Sequence, residues 1–584
     1  MYPYRAPLDE MQFVLNGLFD APAIWQQLPE LAGNIDEETA AAILAEAARL
    51  NEEVVYPLNR PGDEQGVRFE QGKVFTPDGY RDAYQAFVDG GWVGLCGDSD
   101  FGGMGMPKML GVLVDEMGYG ACNAFTLYNS LTAGAALCIN AHGSDELKAR
   151  YLPMLYSGQW AGAMDMTEAQ AGSDLRHIRT RAEPQADGSY RITGTKIFIT
   201  GGDHDLAENI IHLVLAKLPQ ASGLSLFVVP KLTLDDTGMP TQANGVTPGA
   251  VEHKMGLKGS ATCVMNFDGA TGYLLGKPNR GLVCMFTMMN YERLAIGLQG
   301  LGSAEAARQM AGSYAKERQQ GQAAGHKSSG ADAIVVHGDV RRMLLTINAL
   351  TDSGRALAVH TALQLDVAKY SQDSEQQAMA ANFAGLLTPV AKAFLSDRGL
   401  DMTVMAQQVF GGHGYIRETG IEQLVRDTRI AQIYEGTNGI QAIDFLGRKV
   451  VGDNVETLGA FITELNNRLA ACADQEQAEL VHHCFSDILA VAHDLNREKL
   501  TSPALINACA VDFLDAFGYA LCGYYSVVMA DIAKGDSQIS TELRQRKTHL
   551  CQFYLDKLLP RVDSLLAQVK AGERSIMAMP EALF

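Results

Sequence analysis

The spacing of apolar residues changes twice along the chain, and the two changes limit what it can fold into. From Asp36 to about Ser157 apolar side chains recur at three- and four-residue steps, as in IDEETAAAILAEAARLNEEVVYPL, while MLGVLVDEMGYG and TAGAALCINAHG each stop at glycine. GGWVGLCGDSDFGGMGMP is a glycine-rich connection between such segments. Around Gly162 the pattern turns to short, β-branched or alternating pieces (YRITGTKIFITGG, NIIHLVLAKL, GLSLFVVPK, ATCVMNFDGA) bounded by Gly, Asp, Asn or Pro. After about Gly281 long amphipathic segments return, and they continue past Val451. The expectation is an α+β fold, mainly α, divided into an N-terminal extension (1–35), a helical domain (36–160), a middle β-domain (161–280), a helical bundle (281–450) and an additional helical domain (451–584).

Composition narrows the function. At 584 residues the chain exceeds the roughly 250 to 300 at which a single core stops growing, so several structural units are expected. A net charge of -21 argues against nonspecific binding to nucleic acid or anionic membrane. The segment MYPYRAPLDEMQFVL has none of the features of a secretory or transit peptide, and no uninterrupted apolar run reaches the roughly 18 to 20 residues that span a bilayer. A soluble protein is expected. Ten cysteines, without CxxC pairs and mostly among apolar neighbours, suit buried thiols in a reducing compartment, and no metal site is indicated.

Three stretches carry candidate chemistry, and each has a plainer reading. Thr167 to Asp174, TEAQAGSD, is either a capped turn or a loop whose small residues admit a flat ring while hydroxyls and amides bond its polar edge. KIFITGG, Lys196 to Gly202, is either a strand entering a turn or a wall that sets Phe198 against such a ring with Thr200 in hydrogen-bonding reach. In QVFGGHGY, Gln408 to Tyr415, the glycines either break a helix or let the backbone pass close to a phosphate or adenosine. Finally IYEGTNGIQ sets Glu435 before a helix expected near Asn438, where it is a favourable helix-terminus carboxylate or a catalytic base.

The order of TEAQAGSD, KIFITGG, NYERLAIG, QVFGGHGY and IYEGTNGIQ along an α, β, α chain resembles the acyl-CoA dehydrogenase family over roughly Asp36 to Arg448. The two extensions resemble the longer bacterial subfamily that includes 3-methylmercaptopropionyl-CoA dehydrogenase. The resemblance implies a helical domain, a β-barrel and a helical bundle, with FAD as cofactor and an acyl-CoA as substrate. It places Glu435 at the catalytic base. Met164, Met166, Thr167, Gly172, Ser173, Phe198, Thr200, Arg318, Gln408, Gly411, Gly412 and Thr437 match FAD contacts, and Ser173, Asn290, Arg293, Tyr434 and Gly436 match substrate contacts. Asn290 stands where Asp is frequent, His177 replaces a small residue, Gln423 replaces Lys or Arg, and an aromatic-glycine pair is missing after Arg318.

By the same resemblance, Glu435 takes the α-proton while the β-hydrogen leaves as hydride to flavin N5. The Glu435 amide and a ribitol hydroxyl hold the thioester oxygen, each donor contributing roughly 3 to 4 kcal/mol. An electron-transfer flavoprotein as acceptor, a homodimer and a bacterial cytoplasmic setting are implied too. The alternatives are an acyl-CoA oxidase using oxygen and a non-catalytic acyl-CoA-binding relative. Met104, Met106 and Phe125 could close an acyl pocket, but core packing is the preferred reading for them.

Overall fold

A computed structural model describes the chain except residues 1, 236, 326–329, 501 and 538, so Met1 of the N-terminal extension lies outside the described residues. The chain forms two compact units, one of Arg49–Pro107 with Met117–Ala295, the other of Met1–Ala48, Lys108–Glu116 and Ile296–Phe584.

The first of these contains a seven-stranded sheet: β1 (Trp160–Asp165), β2 (Arg181–Pro184), β3 (Tyr190–Thr200), β4 (Asn209–Lys217), β5 (Leu224–Pro230), β6 (Val246–Val251) and β7 (Thr262–Leu275). Strands β7, β3, β2, β4 and β5 pair in that order and β5 returns to β7, which closes a barrel; β6 adds to β7, and β1 lies parallel on β4. Closure explains the sequence of β4, whose first eight residues are buried, so that NIIHLVLAK reads as one apolar run rather than an alternation. β1 is covered by the helix Asn123–His142, where Gly162 has no room for a side chain: a Cβ would come within 2.5 Å of Ala135 Cβ. The β3–β7 ladder carries an irregularity between the pairs Cys263↔Ile199 and Met265↔Lys196, so Ile197 and Phe198 together oppose Val264. This β-bulge re-aims the end of β3.

The helix Lys108–Ala121 ends one residue past Gly120, close to the expected stop. Gly118 is there for close packing, since a Cβ would meet Thr126 Oγ1 at 2.9 Å. Phe125 is fully buried, as a core residue should be, but Met104 is 44% exposed and belongs to no core.

The second unit is helical. Its long members are Gly338–Tyr370, Ser374–Val409 and Leu505–Gly535, with the C-terminal part of Gly281–Glu317. Gly281–Glu317 and Ser374–Val409 approach until backbones touch: a Cβ on Gly300 would meet the Leu395 carbonyl oxygen at 2.4 Å. Ser374–Val409 and Leu505–Gly535 are long and apolar enough to cross a membrane by length and composition, which a search for unbroken apolar runs misses because small and polar residues interrupt them. Their most apolar windows are 72% and 67% buried within the protein, as expected of core helices.

Charges at the centre of this unit are paired. Arg355, fully buried, donates to Glu116 (2.6 Å) and Glu305 (3.0 Å). Burial works against the Glu305 charge, yet Arg308 and Arg355 outweigh it and hold that carboxyl at about 2. One turn before Arg355, Asp352 accepts from Lys547 (2.9 Å) and Arg546 (2.8 Å), and both cations also reach Glu10. Thus the network joins the N-terminal extension, the central bundle and the helix Thr541–Lys557. Removing one member of such a set strands the others in low dielectric. Lys547→Met is expected to destabilise this unit by about 3–5 kcal/mol, read as a lower denaturant midpoint with faster hydrogen exchange in Leu8–Leu18 and Thr541–Lys557; an unchanged midpoint and exchange pattern would rule this out.

Candidate functional site

In the barrel unit, β1 ends at Asp165 and the chain continues through Met166 and Thr167 into the TEAQAGSD loop. The Ile197 amide donates to the Thr167 carbonyl (2.9 Å), which ties the loop to β3. Glu168 and Ala171 exchange both backbone hydrogen bonds, and Asp174 caps the turn Leu175–His177 through the Arg176 amide (3.1 Å), so the capped-turn reading is correct for the backbone. Gly172 and Ser173 stand exposed at its tip, and a Cβ on Gly172 would meet nothing within 4 Å. Met164 is buried and Met166 packs against the same core.

Phe198 follows on the bulge. Its φ is 60°, and its ring is 59% exposed at the end of a barrel strand. Left-handed backbone is costly for a residue with a Cβ, roughly 1–2 kcal/mol, and an exposed phenyl adds no core packing to offset it. The conformation turns a flat apolar face outward beside the half-buried Thr200. Further along, Arg293 is buried, lies 5.7 Å over the Phe286 ring and donates to Asn290 Oδ1 (3.1 Å). Those two expected substrate contacts therefore form one hydrogen-bonded pair on the helix Gly281–Glu317, with Asn290 exposed.

In the helical unit, Glu435 sits between the short helical turn Ile430–Gln432 and the helix Asn438–Ile443. It too is left-handed, with φ 56°, and Gly436 follows at φ 85°. That left-handed backbone is what favours glycine at 436, and a Cβ there would also displace Gln441 Nε2, 2.5 Å away. The turn is held at every residue. Tyr434 Oη donates to Gln299 Oε1 (2.6 Å), Gln441 Nε2 to the Glu435 carbonyl (3.1 Å) and Lys392 Nζ to the Gly436 carbonyl (2.7 Å). Thr437 caps the helix by accepting from the Ile440 amide (3.3 Å), while its hydroxyl keeps a proton to donate.

The helix end before Arg318 meets the glycine segment through aromatic rings. Tyr314, one turn before Arg318, stacks on Phe410 with centroids 4.2 Å apart and donates to or accepts from His413 Nδ1 at 3.0 Å. Gln408, Gly411 and Gly412 are exposed, and a Cβ on either glycine would meet nothing within 4 Å. The result is a bare backbone platform at Gly411 and Gly412.

Sequence comparison agrees with this architecture. The descriptions "Acyl-CoA dehydrogenase, N-terminal domain", "middle domain" and "C-terminal domain" match residues 37–159, 163–270 and 279–450, and "Acetyl-CoA dehydrogenase C-terminal like" matches 455–580. The 3-methylmercaptopropionyl-CoA dehydrogenase of Ruegeria pomeroyi is 45% identical over 78% of both chains. The chain belongs to the acyl-CoA dehydrogenase family. Two solved members of this fold are similar in structure. One is Caenorhabditis elegans ACDH-11 in complex with C11-CoA (TM-score 0.78, 19% identity, 99% of this chain and 96% of that one). The other is an acyl-CoA dehydrogenase from Bacillus anthracis complexed with FAD (TM-score 0.74, 22% identity, 91% and 88%).

For this acyl-CoA dehydrogenase, reading the sequence missed the charge that holds the first loop. Lys196, fully buried, donates to Glu168 (3.0 Å) and to the Met166 carbonyl (3.0 Å), while Glu168 also accepts from Thr180 Oγ (2.6 Å) and the Arg179 amide (2.7 Å). Glu168 lies in TEAQAGSD and Lys196 in KIFITGG, but nothing local pairs side chains 28 positions apart. Burial opposes the Glu168 charge; Lys196, with the Thr180 hydroxyl and the Arg179 amide, prevails and lowers its carboxyl from 4.5 to about 2. A depressed carboxylate stabilises the fold above its ordinary value, and that contribution is lost as pH falls from about 5 towards 2. Wild type should therefore lead Glu168→Gln by on the order of 2–3 kcal/mol at pH 6, keep part of that lead at pH 3 and lose it only by about pH 2. A stability gap independent of pH would contradict the assignment.

Proposed function

We propose that this acyl-CoA dehydrogenase removes the α- and β-hydrogens of a saturated acyl-CoA to give the trans-2-enoyl thioester, with Glu435 as base and FAD as cofactor. The observation that supports it best is the Glu435 turn. A carboxylate bearing a left-handed backbone, with hydrogen bonds fixing the residues on either side, is costly to build and pre-oriented once built.

The chain's residues suit FAD. An outward phenyl on a barrel-edge bulge with Thr200 beside it fits a flat ring with polar atoms on its rim, and the TEAQAGSD tip offers Thr167, Gly172 and Ser173 as close, hydrogen-bonding neighbours. The bare backbone of Gly411 and Gly412, with Gln408, Thr437 and Arg318, suits a nucleotide carrying phosphates. Bound FAD supplies the acceptor for the hydride.

The rest falls to the protein. An α-proton beside a thioester is too weakly acidic for a carboxylate in water, so charge arising on the thioester oxygen has to be stabilised as the proton leaves. The Glu435 amide donates to that oxygen, worth roughly 3–4 kcal/mol. The Glu435 carboxylate takes the α-proton, the C–H electron pair becomes the new C=C bond, and the β-hydrogen departs with its own pair. Tyr434 and Gly436 keep the carboxylate on station, while Asn290 and Arg293 contact the substrate. The 45% identical relative and the YEG context of Glu435 support a short straight-chain or thioether acyl group such as 3-methylmercaptopropionyl. An electron-transfer flavoprotein acceptor, a homodimer and a cytoplasmic location complete the reading.

Anaerobic titration of the purified protein with a panel of saturated acyl-CoAs, 3-methylmercaptopropionyl-CoA included, should bleach the flavin, and the most effective chain names the substrate class. Glu435→Gln should retain FAD and lose about 10²–10⁴-fold in turnover, the usual contribution of a general base. Near-normal turnover in that variant would overturn the reading.

A further inference from the structure

We infer that Lys392 is a positioning residue for the base, acting as a buried cationic clamp on the turn that carries Glu435; this rests on the function proposed above. Lys392 lies on the helix Ser374–Val409 and is fully buried, although lysine is among the residues least often buried without a charged or well-bonded partner. Its ammonium donates to the Gly436 carbonyl (2.7 Å) and to Asn438 Oδ1 (2.8 Å). The same helix offers two more contacts within the next turn and a half. Asn438 Nδ2 donates to Ser396 Oγ (3.0 Å) and to Asp397 Oδ1 (2.7 Å), and that Asp397 oxygen also accepts from Gln432 Nε2 (2.6 Å). One helix thereby grips the turn on both sides of Glu435, at Gln432 before it and at Gly436 and Asn438 after it.

The grip addresses a specific cost. Glu435 and Gly436 are consecutive left-handed residues, and a glutamate relaxes out of that region unless its neighbours are fixed. Gln441 holds the Glu435 carbonyl, so the next carbonyl, that of Gly436, decides whether the pair of peptides keeps its orientation. A lysine serves here better than a neutral donor because its three N–H groups meet a backbone carbonyl and a side-chain amide together, and Asp397, joined through Asn438, balances the charge.

Lys392→Met keeps the volume and removes the donors. The expected result is a fall in kcat of about 10²-fold, the size of loss that a misplacement near 1 Å produces. KM and FAD content should hold within about threefold, hydrogen exchange at residues 436–441 should rise, and Lys392→Arg should restore a large part of kcat. Should Lys392→Met fail to fold, Asn438→Ala removes the shared amide and should lower kcat in the same direction with KM unchanged. A kcat within about threefold of wild type in the folded variants overturns the inference, as does a loss of FAD that matches the loss of kcat. Glu435→Gln measured alongside separates the two claims: a live Glu435→Gln refutes the base, whereas a dead Glu435→Gln beside a fully active Lys392→Met refutes only the clamp.

Discussion

Arg355 is the interaction on which the helical unit depends. It is a fully buried guanidinium with two fully buried carboxylates, Glu116 and Glu305, from two other helices. Desolvating three charges is favourable only when geometry satisfies all of them, so these helices have one acceptable register. Asp352, one turn away, applies the same demand to Glu10, Arg546 and Lys547. The helix Gly338–Tyr370 is thus fixed by charge along its middle, and Ser374–Val409 packs along it and against Gly300 at backbone distance. Lys392 projects from this second helix. A strained glutamate turn can be held only by a support that does not itself yield, and the ionic core supplies that stiffness.

Each unit contains one costly backbone feature among its candidate residues: Phe198 in the barrel and Glu435 in the bundle. Both are left-handed although neither is glycine, and neither is rewarded by core burial, since Phe198 is exposed and Glu435 is only partly buried. Folding alone gives no reason to retain them. The supports differ with the chemistry asked of each. A β-bulge, secured by the Lys196–Glu168 pair in the adjoining loop, suffices to hold an apolar face; a base that must meet a proton needs hydrogen bonds on both flanks.

Much of the architecture was legible because periodicity is local. The run NIIHLVLAK is a strand with its first eight residues buried, and the helix before Gly143 ends where glycine punctuates it. The helix expected near Asn438, after the Glu435 turn, was legible because its neighbours in sequence are also its neighbours in space. What escaped has the opposite character. Gly118 serves close packing against Thr126, and the bulge at Phe198 depends on register with a strand more than sixty residues later. Lys196 with Glu168, Lys392 with Gly436 and Arg355 with Glu116 are pairings over 28, 44 and 239 positions. A buried charge announces itself in no local pattern, because its cost is offset by a partner that only the fold selects.

The segments outside the central matched region have a role that follows from the same physics. None of the candidate site residues lies in Leu8–Leu18 or beyond residue 450, yet Glu10 comes from the first and Arg546 and Lys547 from the second. Without them Asp352 would be a buried carboxylate with its cations removed, a state costing several kcal/mol. The additions are therefore not appended to a finished bundle; they complete its ionic core. Further contacts repeat the logic, with Tyr525 of the terminal domain meeting His360 Nδ1 (2.9 Å) and Arg561 sharing the Tyr519 hydroxyl with Arg398 (2.6 Å each). Arg398 follows Asp397, whose carboxylate anchors Asn438, so the terminal domain bears on the very stretch of helix that grips the glutamate turn.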